Sequence, residues 1–360
     1  MPDAQPPQTT TPALTSILDC WSDDHPGQQS LVDVVRVIAE VGARLATIVA
    51  AGPLQAAQKE GSPGSEGSRT NASGDVQKPL DVQAEELFLT ALAACDVLAV
   101  CSEESDDLIP LNAAGGLVVA LDPVDGSSNI DTNAPIGTIF AVLPTTGCGD
   151  DPAAAVLQSG RHLLAAGMIV YGPSTVLALT LGEGTDIYVL DPRSRTFLAA
   201  RRHIELPADS NEYAINASNA RHWGPGIKEY VSDLVSGALG PRERDFNMRW
   251  LASLVAEAYR ILTRGGIFLY PADARQGYQE GRIRLVYEAN PIAFLVEQSG
   301  GAATDGVTAI LDLQPSHPHQ RVPFVFGSRS KVERVRRYLL DPQISQERSP
   351  LFSDRGLFRP

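Results

Sequence analysis

The chain has 360 residues, 43% hydrophobic and 20% charged, enough apolar material for one large or two smaller domains. Its 29 Lys and Arg against 43 Asp and Glu leave a formal net charge of −14, which argues against nucleic acid or an anionic membrane as partners and requires local arginines, amides and metal to hold any phosphorylated ligand. There is no run of 18 apolar residues, so no transmembrane helix is expected, and Met1–Thr11, rich in Pro, Gln and Thr and without a signal pattern, reads as a disordered tail.

Leu31, Val34, Ile38, Val41, Leu45 and Ile48 recur at spacings of three and four, which predicts an amphipathic helix ending near Gly52. A Gly/Ser-rich stretch follows, within a segment 57–75 ending at Asp75; on composition it is either a passive linker or a functional loop. Asp81 opens a helix carrying Leu87, Phe88 and Leu92, and its residue type suits an N-cap. Val97–Cys101 reads as a short buried strand that exits into Ser102-Glu103-Glu104-Ser105-Asp106-Asp107, an acidic run at the kind of strand end where α/β folds place ligands.

Val118-Val119-Ala120-Leu121 reads as the central buried strand. It ends at Asp122, with Asp125 three residues on and Gly126-Ser127-Ser128 after it. Two carboxylates followed by free backbone amides suit a hard cation beside a phosphate, and the same Asp-Pro-Val-Asp-Gly stretch also fits an acidic β-turn. Further strands are expected at 165–171, 176–181 and 186–190. The chain turns polar near 207–212, where a domain boundary is expected between residues 12–207 and 208–340. In the second part, Arg249 to Val255 should begin a helix, 265–271 should be a strand, and Asn290 with Pro291 reads as a helix cap and first position, with Gly300-Gly301 as the stop. A last strand at 322–326, a short helix near 332–339 and a polar tail over 341–360 complete the reading. Cys20, Cys95, Cys101 and Cys148 match neither a zinc site nor a disulfide framework; Cys95 and Cys101 read as reduced core residues, which fits a cytoplasmic protein.

The run Asp122-Pro123-Val124-Asp125-Gly126-Ser127-Ser128-Asn129-Ile130-Asp131, with Gly137-Thr138-Ile139-Phe140, resembles the signature of class I fructose-1,6-bisphosphatase, a branch of the lithium-sensitive, Mg-dependent sugar phosphatases. The resemblance covers about residues 31–340. It implies a layered α/β/α/β/α sandwich of two domains, in an enzyme that hydrolyses fructose 1,6-bisphosphate to fructose 6-phosphate and phosphate in gluconeogenesis or the Calvin cycle, as a homotetramer. Two or more Mg²⁺ ions per subunit are implied, with Mn²⁺ able to substitute. By position, Glu103, Asp122, Asp125, Glu288 and the Val124 carbonyl match the family's metal ligands, and Glu104 matches a carboxylate that helps activate water. Asp75 and Asp81 match the loop and helix aspartates that orient the water or a further metal, with 57–75 as a loop that closes over the site. Gly126, Ser127 and Ser128 would hold the phosphate being cleaved. Asn216, Arg249, Tyr270 and Arg282 match the second phosphate's site, Arg249 reaching it from a neighbouring subunit. Taken singly, Glu288 also fits a glutamate at a helix N-terminus, Tyr270 a half-buried strand aromatic and Arg249 a surface charge.

Several positions depart from the family. Arg282 stands where many members have lysine, and keeps the charge. Asn219 and Trp250 replace two tyrosines, which leaves sedoheptulose-1,7-bisphosphatase, or a dual enzyme, as the alternative. A catalytically inactive sugar-phosphate sensor is the reading from another class, disfavoured because every carboxylate the chemistry needs is present. Gly116-Leu117 and Pro144 replace the Lys-Tyr pair and the arginine of AMP-inhibited relatives, so weak or absent AMP inhibition is expected; with Cys148 alone in the comparable region, so is the absence of the plastid relatives' redox switch.

Overall fold

In a computed structural model the structure describes residues 11–52, 78–148 and 151–341. Asp75, the whole segment 57–75, residues 1–10 and residues 342–360 therefore lie outside the described residues.

Helices α1 (Leu14–Asp24), α2 (Gln29–Ala50) and α3 (Pro79–Leu92) precede β1 (Val97–Ser102), β2 (Ile109–Pro110), β3 (Leu117–Asp125) and β4 (Ile136–Pro144). A short helix α4 (Pro152–Val156) leads to β5 (Ala165–Tyr171), β6 (Thr175–Thr180), β7 (Asp186–Leu190) and β8 (Phe197–Arg201). These eight strands form one sheet in the order β2-β1-β3-β4-β5-β6-β7-β8, in which β1 and β3 are parallel neighbours. The second sheet, β10-β9-β11-β15-β13, comprises β9 (Glu212–Ile215), β10 (Asn247–Met248), β11 (Ile267–Tyr270), β13 (Ala302–Thr304) and β15 (Phe324–Gly327). A two-stranded ribbon pairs β12 (Ile283–Arg284) with β14 (Arg321–Val322). Helices α5 (Pro225–Val235), α6 (Leu254–Arg264), α7 (Asn290–Gln298) and α8 (Arg329–Leu340) accompany the second sheet.

Strand alternation divides the core. On one face of the first sheet, Val119 and Leu121 pack with Leu18, Val35, Ile38 and Phe88 of the first three helices. On the other, Val118 and Ala120 pack with Val255 and Ile261 of α6 and Ile292 and Val296 of α7, and this same core takes in Phe268, Phe324 and Phe326 of the second sheet. The far side of the second sheet, with Ile215, Leu269 and Val325, is covered by Tyr230 and Leu234 of α5 and Val335 of α8. The result is five layers, α/β/α/β/α, as the resemblance implies. At Gly137 of β4 a Cβ would lie 2.3 Å from the Ile169 carbonyl oxygen of the neighbouring strand and 2.6 Å from a Val255 methyl of α6.

Several local expectations are corrected. The central strand does not stop at Asp122 but runs to Asp125, because a bulge between Asp122 and Asp125 absorbs one extra residue opposite β4. Pro123, with no N–H to give, is tolerated there, and its carbonyl accepts from the Thr138 hydroxyl at 2.8 Å. Asp81 is not the cap of α3 but lies inside its first turn, where its Oδ2 accepts from the Lys78 N–H at 2.8 Å. The helix expected from Arg249 begins only at Leu254, because the Ser253 hydroxyl caps it by accepting from the Ala256 N–H and Ala252 holds a left-handed φ of 56°. Asn290 is no cap: a π-helical turn over Leu285–Ala289 runs straight into α7. The last strand is split at Pro323 between the ribbon and the second sheet. All four cysteines are free, and burial pushes the Cys101 thiol up to about 12.

Candidate active site

The parallel pair β1 and β3 leave the first sheet at the same edge, the usual position of a ligand crevice in α/β sheets. The Glu103 N–H donates to the Leu121 carbonyl at 3.0 Å, which fixes the acidic turn against the central strand. Across the crevice the π-helical turn presents Glu288, whose carboxylate accepts from the Arg284 N–H. Ligand oxygens of Glu103, Asp122 and Glu288 consequently lie within 4.8 Å of one another. Asp125 flanks this triad, and its Oδ2 accepts from the Val255 N–H at 3.0 Å, at the N-terminus of α6.

Four of these groups share a buried field. Burial, then the charges of Glu103, Asp125 and Glu288, hold the Asp122 carboxyl well above its ordinary range. Burial and the Glu103 and Asp125 charges do the same to Glu288. Burial raises Asp125 to about 7 and Asp81 to about 6, with Glu103 contributing to both. Asp122 Oδ2 and Asp81 Oδ1 are buried without a hydrogen-bond partner. Carboxylates crowded against mutual repulsion, with orphaned buried oxygens, fit a divalent cation, and an all-oxygen set suits a hard one.

Gly126, in the left-handed region at φ 78°, turns the chain out of β3 into a 3₁₀ turn over Ser127–Thr132. Ser127 and Ser128 stand at the open N-terminal end of that turn, where the first amides lack intrahelical acceptors. Asn129 ties this turn to the chain before α6, its Nδ2 donating to the Ala252 carbonyl at 2.9 Å. Further along, Tyr270 ends β11 beside Trp250, ring centroids 6.3 Å apart, and Trp250 stacks on Phe268. The Arg275 and Arg282 guanidinium carbons lie 3.9 and 4.6 Å from the Tyr278 ring centroid. Asn216 accepts from the Ser218 N–H at the start of a 3₁₀ turn. The Arg249 side chain is 54% exposed, with Nε 3.8 Å from Glu212.

Two family models match: fructose-1-6-bisphosphatase, N-terminal domain, over residues 56–202, and fructose-1-6-bisphosphatase, C-terminal domain, over residues 206–340. A class 1 fructose-1,6-bisphosphatase of Azorhizobium caulinodans is 52% identical over 326 residues, 90% of this chain and 98% of that protein. One of Sinorhizobium medicae is 57% identical over 293 residues, 81% of this chain and 84% of that protein. The crystal structure of Leishmania major fructose-1,6-bisphosphatase in holo form superposes with a TM-score of 0.83 at 31% identity, covering 92% of this chain and all of that one. The chain belongs to the class 1 fructose-1,6-bisphosphatase family.

Of the residues expected from the fructose-1,6-bisphosphatase resemblance, Glu103, Asp122 and Glu288 converge, with Asp125 and Asp81 in the same field. Glu104 follows Glu103 in the turn, its N–H donating to the Ser102 hydroxyl, and Val124 sits in the bulge with its N–H on Asp122 Oδ1. Asp75 falls outside the described residues. Sequence reading missed Arg275 and Tyr278, which share the loop after Tyr270, and the pair Tyr287 and His319. His319 Nε2 lies 3.1 Å from the Asp106 carbonyl, which can only accept, so Nε2 carries the proton and Nδ1 accepts from the Tyr287 hydroxyl at 3.0 Å. That histidine clasps the Glu103 turn to the Glu288 turn. The one signal it left in the sequence was a His among polar residues, which is uninformative alone.

Proposed function

We propose that the chain removes the carbon-1 phosphate of fructose 1,6-bisphosphate, releasing fructose 6-phosphate and inorganic phosphate, with Mg²⁺ as the natural ion and Mn²⁺ as a substitute. The observation that carries this is the convergence of Glu103, Asp122 and Glu288 from three separate segments, beside the Gly126 turn. Glu103, Asp122, Asp125, Glu288 and the Val124 carbonyl would hold two or more ions. Such ions, when bound, neutralise phosphoryl charge and lower the pKa of water. Gly126, Ser127 and Ser128 hold the departing phosphate through amides and hydroxyls. Glu104, with Asp81 and Asp75, orients the attacking water and takes its proton.

Asn216, Tyr270 and Arg282 bind the phosphate that stays, joined by Arg249 of a neighbouring copy in a homotetramer. Exposed Val235, Leu239, Met248 and Leu251, the second of them 95% exposed, lie on the same stretch of chain as Arg249 and support a buried contact there. Weak or absent AMP inhibition is supported by Leu117 and Pro144, which are direct cross-strand partners and offer an anion no charge. The partition into domains 12–207 and 208–340 is supported by the two family-model spans. We place the enzyme in the cytoplasm, in gluconeogenesis or carbon fixation.

Phosphate release from fructose 1,6-bisphosphate and from sedoheptulose 1,7-bisphosphate, with and without Mg²⁺, tests the reading. The expected result is Mg²⁺-dependent turnover with a higher kcat/KM for the six-carbon sugar. Trp250, tilted against Tyr270 where relatives have a tyrosine, leaves the seven-carbon sugar as a second substrate; a reversed preference would install it as the first.

A further inference from the structure

Apart from the carboxylates and the aromatic pocket, a cleft of about 270 Å³ is lined by Asp209, Arg242, Arg244, Ser330, Lys331 and Arg334. Four of these side chains are cationic and one is acidic. Arg244 donates to Asp209, and Lys331 Nζ lies 3.3 Å from the same carboxylate. Arg242, Arg244 and Lys331 crowd one ring, at 5.0, 5.2 and 4.9 Å from the Phe246 centroid. Lys331 is only 2% exposed, and burial with the Arg242 and Arg244 charges pulls its ammonium down to about 8 against the pull of Asp209. Arg242 Nη1 is buried without a hydrogen-bond partner.

An ion cluster that served only the fold would balance its charges, since each uncompensated buried charge is destabilising. Here the lining holds four cations and one carboxylate, which pairs with Arg244 and Lys331, in a chain whose net charge is −14. Ser330 and Lys331 also open α8, whose N-terminal dipole adds to the positive field. We propose that this cleft is a second anion site that takes the phosphate group of a small phosphorylated metabolite of a few carbons. Arginine forks match phosphate oxygens in pairs, and the volume falls just under the roughly 300–1,000 Å³ of small-molecule sites. A ring already crowded by three cations offers no stacking face to a base, so a nucleotide does not fit the chemistry. The occupant bridges two elements: Arg242 and Arg244 lead directly into β10 and Arg249, whereas Lys331 and Arg334 stand on α8. Filling the cleft therefore fixes the segment that carries Arg249.

Calorimetric titration of the full-length protein with glycerol 3-phosphate, and separately with inorganic phosphate, tests this. Glycerol 3-phosphate should bind the wild type and Asp122→Asn alike, and at least ten-fold more weakly to Arg242→Gln and to Arg334→Gln. Arg334 is on the surface, so its variant will fold even if Arg242→Gln does not. Both should keep wild-type kcat. Inorganic phosphate binding as tightly as the ester would name the free ion as the ligand and leave the site standing. Absence of binding of either probe to the wild type, unchanged binding to both arginine variants, or binding lost in Asp122→Asn alone would overturn it.

Discussion

At Asp122 the chain buries a carboxylate oxygen without a hydrogen-bond partner, among three other acids. The residue is thus unfavourable to the metal-free fold, and in the proposed function it holds the ions. Asp122→Asn should lower kcat about 10³-fold, the scale on which removing one preorganised electrostatic contact acts, while raising the Tm of the protein in EDTA. Steady-state kinetics and calorimetry on one preparation read both. A fall in kcat together with a fall in Tm would mean that the carboxylate is a structural group.

The raised carboxyls also set a pH dependence. Asp81 at about 6 and Asp125 at about 7 titrate above the unfolded value of about 3.9, so the metal-free fold holds protons more tightly than the unfolded chain. Their contribution is fully present below pH about 4 and is lost as pH rises towards 7, by about 1.4 kcal/mol per pH unit for each proton. If Mg²⁺ is the ion, as proposed, it replaces those protons, and the gap in unfolding free energy between Mg²⁺ and EDTA should widen from pH 5 to 7. Urea melts across that range measure it; a gap independent of pH would detach these groups from the ion.

Among the elements, α6 has two contacts that matter to the site. Its first amides hold Asp125, and its Val255 lies against Gly137 of β4. Gly137→Ala would press a methyl into the Ile169 carbonyl and Val255, and should cost about 1–3 kcal/mol by overpacking, with a lower apparent Mg²⁺ affinity as α6 shifts. His319→Ala should raise the Mg²⁺ concentration for half-maximal activity about ten-fold, because the Glu103 and Glu288 turns lose their clasp, and His319→Gln should restore part of it.

These elements also show what was legible in advance. The Asp122–Asp131 run could be read because the chemistry fixes its residues in one short stretch, and β1, β3 and β11 because apolar runs announce strands. The bulge at Pro123 was not legible, since a proline after an aspartate suits a turn equally well. Helix α1, α5 and β8 went unread, and the start of α6 was set by Ser253 and the left-handed Ala252, not by its apolar period. Arg275, Tyr278 and His319 act only through partners that tertiary folding delivers, so no local pattern marks them.

For the whole molecule, the proposed tetramer makes a prediction that a monomer cannot satisfy. Arg249→Ala should raise KM for the bisphosphate at least ten-fold. Mixing it with Asp122→Asn during refolding should recover a low-KM activity that neither variant has alone, because the Asp122→Asn subunit lends its Arg249 to an intact carboxylate set next door. Assaying the mixture against its separated components decides this; no recovery places Arg249 in its own subunit's pocket.

Helices α6 and α7 come from the second half of the chain, yet they pack with Val118 and Ala120 on one side of the first sheet. A fragment ending near Pro207 would leave Val118, Ala120, Ile139 and Met168 facing water and would aggregate when expressed by itself. Co-expressed with the remaining piece, it should reassemble into a working enzyme. On the ribosome, the early half must wait for its roof.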